Sequence, residues 1–127
     1  MLEEFARVLG HVLNLKESGR KDEGLTTIRA AYKTWFDLEA AHLLTLTPEE
    51  LILFIHNRDD FPAEKTEALA KAFMLEADLL LTTDTAALHR RRQALQLFLY
   101  LEKTDTTTFS LPRRQAITGL KNALGEV

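Results

Sequence analysis

Four histidines are the side chains in this 127-residue chain best suited to metal binding or proton transfer: His11, His42, His56 and His89. They lie far apart, and none stands in an HExxH or comparable spacing, so the sequence predicts no metal site. His56 alone has acids close by, at Asp59 and Asp60. That stretch could hold a base and an acid together, and it suits a solvated loop equally well.

Nucleophiles and cofactor motifs are absent from the sequence. It contains no GxSxG, P-loop or GxGxxG pattern, and its two serines, Ser18 and Ser110, fall at expected helix ends. With no cysteine, thiolate catalysis and cysteine metal sites are excluded. Neighbouring acids such as Glu49 and Glu50 point in different directions on a helix. We therefore predict that the chain is not an enzyme and has no catalytic residue, metal or cofactor.

Glu76 is the acid most in need of a partner. Helical spacing places it on the same face as Phe73 and Leu80, where an unpaired carboxylate would cost several kcal/mol. An arginine on the following helix could bind it through two hydrogen bonds. We predict an internal ion pair between Glu76 and either Arg91 or Arg92.

Two basic runs give the chain its candidate surface for an anionic partner: Arg90, Arg91 and Arg92, and then Arg113, Arg114 and Lys121. A helix turns by about 100° per residue, so at most two of three consecutive arginines face one partner. The formal net charge of −3 gives no general attraction for nucleic acid. Binding of an anion or nucleic acid is expected only if the two runs converge in space.

One aromatic cluster, Tyr32, Trp35 and Phe36, stands out in the second predicted helix. At this spacing aromatic residues belong to the core of most proteins. The functional alternative is that part of the cluster lines a groove for a peptide or a partner helix. The sequence leaves both interpretations open.

Helices must position all of these side chains, because apolar residues recur at steps of three and four along most of the chain. The pattern predicts about six helices. They cover Leu2–Lys16, a stretch from about Asp22 to Leu38, a short helix after Thr47, one from Pro62 to about Leu80, Thr85–Lys103, and a last helix after Ser110.

Five residues mark the expected helix ends. Gly19 can take the left-handed conformation that closes the first helix, and Asp22 is a candidate cap for the second. Thr47, followed by Pro48-Glu49-Glu50, has the pattern of a capping box before a five-residue apolar run that should be buried on more than one side. Asp84, at the end of Thr82-Thr83-Asp84, and Ser110, after the polar run 104–108, are further caps.

These elements predict an all-α fold of stacked antiparallel helical hairpins in a single domain, residues 1–127. Short connections force consecutive helices to pack antiparallel. The composition, 46% hydrophobic and 28% charged with only five glycines and three prolines, fits a helical globular protein. No apolar run approaches a membrane span, and the acidic N-terminus lacks the features of a secretory signal. We expect a cytoplasmic protein with no membrane contact.

The hairpins resemble tetratricopeptide repeats. In the first hairpin, the turn glycine and the alternation of small and large residues match the repeat pattern. In the second hairpin, Asp84, Ala87 and Ala94 fit the same pattern. Arg91 departs from it, because it stands where that family has a bulky apolar residue. The matching residues of the first hairpin are Gly19, Gly24, Ile28 and Ala31. Such a likeness implies a right-handed superhelix.

The whole chain resembles a family of small uncharacterised bacterial proteins with a tetratricopeptide-like fold. The matching segments are Ala6–Leu9, Leu15–Gly19, Leu46–Leu51 and Glu76–Leu80. The resemblance implies the fold and a bacterial cytoplasmic setting, and it supplies no functional residues.

Together these observations predict a protein-interaction scaffold or regulatory adaptor that binds a protein or peptide. Its candidate binding residues are Tyr32, Trp35, Phe36, Arg90, Arg91, Arg92, Arg113 and Arg114. Homodimerisation is a close variant, because a short stack of hairpins has open ends. The alternative is an anion or nucleic-acid binder that uses the Arg90–Arg92 and Arg113–Lys121 runs.

Overall fold

The structure, a computed structural model, describes residues 2–81, 83–105 and 110–125. Thr82, of the expected turn before the fifth predicted helix, and residues 106–108 of the polar run lie outside this part of the chain. Within it every regular element is a helix. The seven helices are α1 (Leu2–Glu17), α2 (Lys21–Phe36), α3 (Ala40–Thr45), α4 (Pro48–His56), α5 (Ala63–Leu79), α6 (Thr85–Thr104) and α7 (Leu111–Ala123).

The helices pack as two hairpins joined through α5. α1 pairs with α2, and α5 pairs with α6 over the most extensive contact in the molecule. Both helices of the first hairpin also pack against α5, while α4 and α7 pack against α6. The all-helical prediction is therefore confirmed, and a single core runs through both hairpins, with its largest apolar side chains contributed by Phe5, Ile28, Phe36, Leu69, Phe73 and Phe98.

Helix α3 is the element that the sequence pattern missed. The second predicted helix was extended to Leu38, but α2 ends at Phe36, and Asp37 follows in the left-handed conformation with φ of 58°. The chain then forms the six-residue α3, which buries only Leu43. A helix with one buried residue has no periodic pattern to detect, so the count rises from about six to seven.

Most of the predicted helix ends are confirmed. Gly19 has a φ of 75°, and the amide of Arg20 donates to the carbonyl of Leu15 at 2.8 Å. Asp84 accepts from the amide of Ala86, and Ser110 accepts from the amide of Arg113. The prediction for Asp22 was wrong, because α2 begins one residue earlier and Asp22 lies in its first turn. The positive end of the helix dipole still stabilises the negative charge of its carboxylate there.

The capping box of α4 has both of its hydrogen bonds. The Thr47 hydroxyl accepts from the amide of Glu50 at 3.0 Å, and the Glu50 carboxylate accepts from the amide of Thr47 at 2.9 Å. Thr47 holds the pKa of Glu50 below its usual value, because the Thr47 amide stabilises the carboxylate. Leu51 and Ile55 are buried and Ile52 and Phe54 are partly covered, whereas Leu53 faces solvent, so the predicted burial on more than one side is only partial.

We predict that Thr47→Ala lowers the free energy of unfolding by about 1 kcal/mol, because the amide of Glu50 loses its acceptor. Chemical denaturation of the two proteins measures the difference. Thr26→Ala, at an exposed position inside α2, is the matched control and should be neutral or slightly stabilising. Equal losses in both variants would contradict a role for the cap.

Candidate functional site

A buried carboxylate, Glu76 on α5, lies at the centre of the molecule's main polar cluster. Its side chain is fully buried and accepts three hydrogen bonds from side chains. The Tyr32 hydroxyl donates to Oε1 at 2.6 Å and Arg90 Nε donates to the same oxygen at 2.7 Å, while Arg29 Nε donates to Oε2 at 3.2 Å. The cluster thus joins α2, α5 and α6 around one charge.

The arginine that pairs with Glu76 is Arg90, so the prediction of Arg91 or Arg92 was wrong. Ala87, Arg90 and Ala94 follow one another at steps of three and four on the buried face of α6. Arg91 and Arg92 are turned about 100° and 200° away from that face. Arg91 contacts Asp78 at 3.5 Å, and Arg92 is exposed.

All three nitrogens of the Arg90 guanidinium have acceptors. Nη1 donates to Gln93 Oε1 at 2.8 Å and Nη2 donates to the carbonyl of Ala40 at 3.3 Å. The group also lies 5.6 Å from the centre of the Tyr32 ring and 5.0 Å from that of Phe73. A guanidinium is weakly hydrated and stacks on aromatic rings, which makes it the cation best suited to burial.

Gln93 extends the cluster to α3. Its side-chain amide donates to the carbonyls of Leu43 and Leu46 at 2.8 and 3.2 Å. These carbonyls lie at the C-terminal end of α3, where that of Leu43 also accepts from the amide of Leu46 at 3.3 Å. The hydrogen bonds of Gln93 therefore fix the short helix that the apolar pattern did not predict.

Burial raises the pKa of the Tyr32 hydroxyl well above its usual value, and the negative charge of Glu76 beside it acts in the same direction. The tyrosine is therefore a hydrogen-bond donor and is not a base at neutral pH. Glu76 itself is fully buried and both of its oxygens are hydrogen-bonded, although Arg29 is 38% exposed and extends the cluster to the surface. The cluster holds helices together.

The aromatic cluster does not provide a binding groove. Tyr32 and Phe36 are core residues, at 0% and 2% exposure. Trp35 is half-buried, and its ring packs edge-on against Phe5 with centroids 6.3 Å apart. Of the two interpretations of this cluster, the structure supports the core.

The second basic run is also partly internal. Arg113 is buried, and it donates to Glu67 at 3.0 Å and to Asp105 at 3.2 Å, which ties α7 to α5 and to the end of α6. Arg114 is exposed and lies 4.0 Å from Glu102. Arg90 and Arg113 are thus unavailable to a partner, because each is buried and already paired with acids of the protein itself.

The two basic runs do not form one surface. Arg92 is exposed near the start of α6, whereas Arg114 lies beside Glu102, ten residues further along the same helix. Ten residues of helix span about 15 Å. Binding of an anion by both runs together was expected only if they converged in space, and they do not converge.

A basic surface that combines Arg114 and Lys121 of the second run with residues not predicted from the sequence lies where α6 meets α7. Leu99 and Ile117 form the floor of a shallow trough of about 460 Å³, and Glu102, Arg114, Thr118 and Lys121 surround it. On the other side of Leu99, towards α4, a second hollow of about 390 Å³ is lined by Ile52, Gln96, Leu99, Tyr100 and Lys103. We call the two together the basic trough.

One sequence signal could have indicated this trough. Gln96, Leu99 and Lys103 recur at steps of three and four, and they form a mixed apolar and basic stripe beside the buried stripe of α6. The signal is obscured because Leu95 and Leu99, four residues apart, also fit a single buried face. Leu95 is buried, whereas Leu99 is only partly covered.

The local cluster of His56 with acids is not assembled. His56 Nδ1 lies 3.2 Å from the Tyr100 hydroxyl, while Asp60 binds Arg58 through both carboxylate oxygens. That arginine lowers the pKa of Asp60 to about 2. Among the described residues no three histidines, aspartates or glutamates are grouped so that they could hold a metal ion.

No protein-family model, curated protein or solved structure matches this chain. In the described ranges, no helix is long and apolar enough to cross a membrane.

We predict that Glu76→Gln lowers the free energy of unfolding by about 3 kcal/mol or more, because the buried Arg90 charge loses its counter-ion. Denaturant titration measures the loss. Asp78→Asn removes a carboxylate from the more exposed pair with Arg91 and should cost about 0.5 kcal/mol or less. If both variants lost the same amount, Glu76 would not be the carboxylate on which stability depends.

Tyr32→Phe should change how stability depends on pH. In the folded protein Tyr32 keeps its proton at a pH where an unfolded tyrosine, with a pKa of about 10, loses it. The contribution of this shift in the pKa of Tyr32 to the free energy of unfolding is complete below pH 10 and is lost as the pH rises further. Between pH 8 and 11 the free energy of unfolding, measured by chemical denaturation, should fall more steeply with pH for the wild type than for Tyr32→Phe. Parallel curves of this free energy against pH would contradict the prediction.

Proposed function

We propose that this chain is a protein-interaction domain that binds an acidic segment of another protein in the basic trough. The observation that carries the proposal is a group of three cations, Lys103, Arg114 and Lys121, around partly exposed apolar side chains on a protein with net charge −3. Such a local positive surface on an acidic protein selects for acidic partners.

The floor of the trough supplies the apolar part of the interaction. Leu99, Ile117, Ile52 and Tyr100 are each only partly covered by the fold. A bound segment that inserts two or three apolar side chains would remove this surface from water, at roughly 25 cal/mol for each Å² buried. Tyr100 offers an aromatic ring of the kind enriched in binding hot spots.

The rim supplies specificity. Lys103 and Lys121 lie on opposite sides of Leu99, and Glu102 lies 4.0 Å from Arg114. An incoming carboxylate competes with Glu102 for Arg114, so its gain is reduced by the loss of that weak, partly exposed pair. Rim charges of this kind mainly guide association and exclude partners of the wrong sign.

A protein partner fits the trough better than nucleic acid does. Arg90 and Arg113 belong to the core, and the trough itself has three cations around an apolar floor. Binding to a nucleic-acid backbone depends on neutralising many phosphates at once. The proposal also includes a tetratricopeptide-like arrangement, a bacterial cytoplasmic setting and a non-enzymatic role. The pairing of the hairpins supports the first of these, and the absence of catalytic motifs from the sequence supports the last.

Selection from a random twelve-residue peptide library displayed on phage tests the proposal. Peptides enriched on the wild type should contain Asp or Glu together with two or three large apolar residues. Lys121→Glu should weaken their binding about tenfold, because attraction at the rim becomes repulsion, and higher salt should weaken wild-type binding. Fluorescence polarisation of the selected peptides measures both effects.

Lys21→Glu is the matched control. It makes the same charge reversal at an exposed position in the first turn of α2, away from the trough, and should leave peptide binding unchanged. Equal weakening by the two variants, or enrichment of basic peptides, would contradict the proposed site. Tighter binding of a single-stranded RNA oligonucleotide than of any selected peptide would favour the nucleic-acid alternative.

A further inference from the structure

The Tyr100 side chain, which lines the basic trough, is held by a histidine. Tyr100 of α6 lines the second hollow together with Ile52 of α4 and Lys103. His56, in the last turn of α4, places its Nδ1 3.2 Å from the hydroxyl oxygen of Tyr100. The two rings also pack edge-on, with their centroids 6.3 Å apart. This pair therefore joins α4 to α6 beside the proposed binding site.

The direction of this hydrogen bond depends on the charge of His56. The unprotonated nitrogen of a neutral imidazole can only accept a hydrogen bond, whereas both nitrogens of an imidazolium donate. A neutral His56 with its proton on Nε2 therefore takes the hydroxyl hydrogen of Tyr100. A protonated His56 donates to the hydroxyl oxygen instead, and the hydroxyl hydrogen is then directed to another acceptor.

The surroundings of His56 allow its charge to change in the folded protein. The residue is exposed, and histidine is the side chain that ordinarily changes charge between pH 5 and 8. The C-terminal end of α4 stabilises an imidazolium there, whereas Lys103 on the packed helix α6 opposes it. In the loop after α4, Asp59 is exposed and Arg58 binds Asp60 through both carboxylate oxygens. Within the part of the chain that the structure describes, no acid forms an ion pair with this imidazole.

We infer that protonation of His56 turns the Tyr100 hydroxyl into a hydrogen-bond donor for a carboxylate of the bound segment. The basic trough then binds acidic segments more tightly at mildly acidic pH than at alkaline pH. This inference rests on the proposed peptide site and describes its regulation. Tyr100 is the residue that contacts the partner, and His56 is a positioning residue that acts through it.

A carboxylate is the acceptor that this hydroxyl suits. Lys103 lines the same hollow, so a carboxylate attracted by its ammonium group comes close to the tyrosine. Hydrogen bonds in a chain polarise one another, so a tyrosine that accepts from an imidazolium donates more strongly to the partner. Hydrogen bonds to a charged group also contribute more than neutral ones. At alkaline pH His56 takes the hydroxyl hydrogen, and an incoming carboxylate meets only the oxygen lone pairs.

Peptide affinity at two pH values tests the inference. The probe is an acidic peptide selected on the wild type that contains no histidine and carries a rhodamine label, whose fluorescence does not depend on pH in this range. The wild type should bind it about fivefold more tightly at pH 5.5 than at pH 8.0, the gain from one further hydrogen bond. Aspartate and glutamate stay mostly ionised at pH 5.5, so the charge of the peptide changes little. Fluorescence polarisation measures both dissociation constants.

Three variants separate this route from a general effect of charge. His56→Gln should bind the peptide equally at the two pH values, because glutamine cannot change its charge. Tyr100→Phe should lose the pH dependence as well, although His56 still titrates, because the hydroxyl is missing. His11→Gln is the matched control at an exposed position of α1, which packs against α2 and α5, and should keep the fivefold ratio. A fivefold ratio retained in Tyr100→Phe would overturn the inference.

Linkage between protonation and binding gives a second readout. If protonation strengthens peptide binding fivefold, bound peptide must favour the protonated histidine by the same factor. Saturating peptide should therefore raise the midpoint pH of the His56 imidazole titration, followed by NMR, by about 0.7. An unchanged midpoint, or equal wild-type affinity at the two pH values, would overturn the inference and leave the proposed peptide site standing. Failure of every acidic peptide to bind at either pH would overturn the site itself and the inference with it.

Discussion

The structure depends on how one buried negative charge is neutralised. Glu76 lies among apolar side chains, where a bare carboxylate would be strongly destabilising, and its three donors come from Arg29, Tyr32 and Arg90. Because two of these donors belong to α2 and one to α6, the carboxylate fixes the position of the first hairpin relative to the second. Apolar packing alone is tolerant of small shifts between helices, whereas hydrogen bonds of 2.6 to 3.2 Å to a single group are not.

The same interaction explains where the molecule can meet a partner. Arg90 and Arg113 look like surface cations in the sequence, yet each is needed inside the protein to neutralise acids on neighbouring helices. Other cations stay at or near the surface. They include Lys103 and Lys121, which the fold places around Leu99 through the packing of α7 on α6. The internal ion pairs thus decide which part of the positive charge remains for recognition.

Local signals were sufficient for most of the fold. Thr47, Gly19 and Ser110 act through their own neighbours in sequence, so their roles follow from a few residues each. The need of Glu76 for a partner could also be predicted, since it follows from burial alone. The identity of that partner could not, because a one-residue change in the assumed register of α6 exchanges Arg90 for Arg91. Helix α3 was missed for a related reason, since it is held by Gln93, 50 residues away from Leu43.

The buried pair has a further consequence for the order in which the chain folds. Only 14 residues separate Glu76 from Arg90, whereas 44 separate it from Tyr32. Closing the shorter loop costs less entropy, so the α5–α6 hairpin can form its ion pair before the rest of the core exists. The first hairpin then packs against a surface on which the Glu76 carboxylate is already paired with Arg90. We expect the second hairpin to act as the template on which the N-terminal half of the chain assembles.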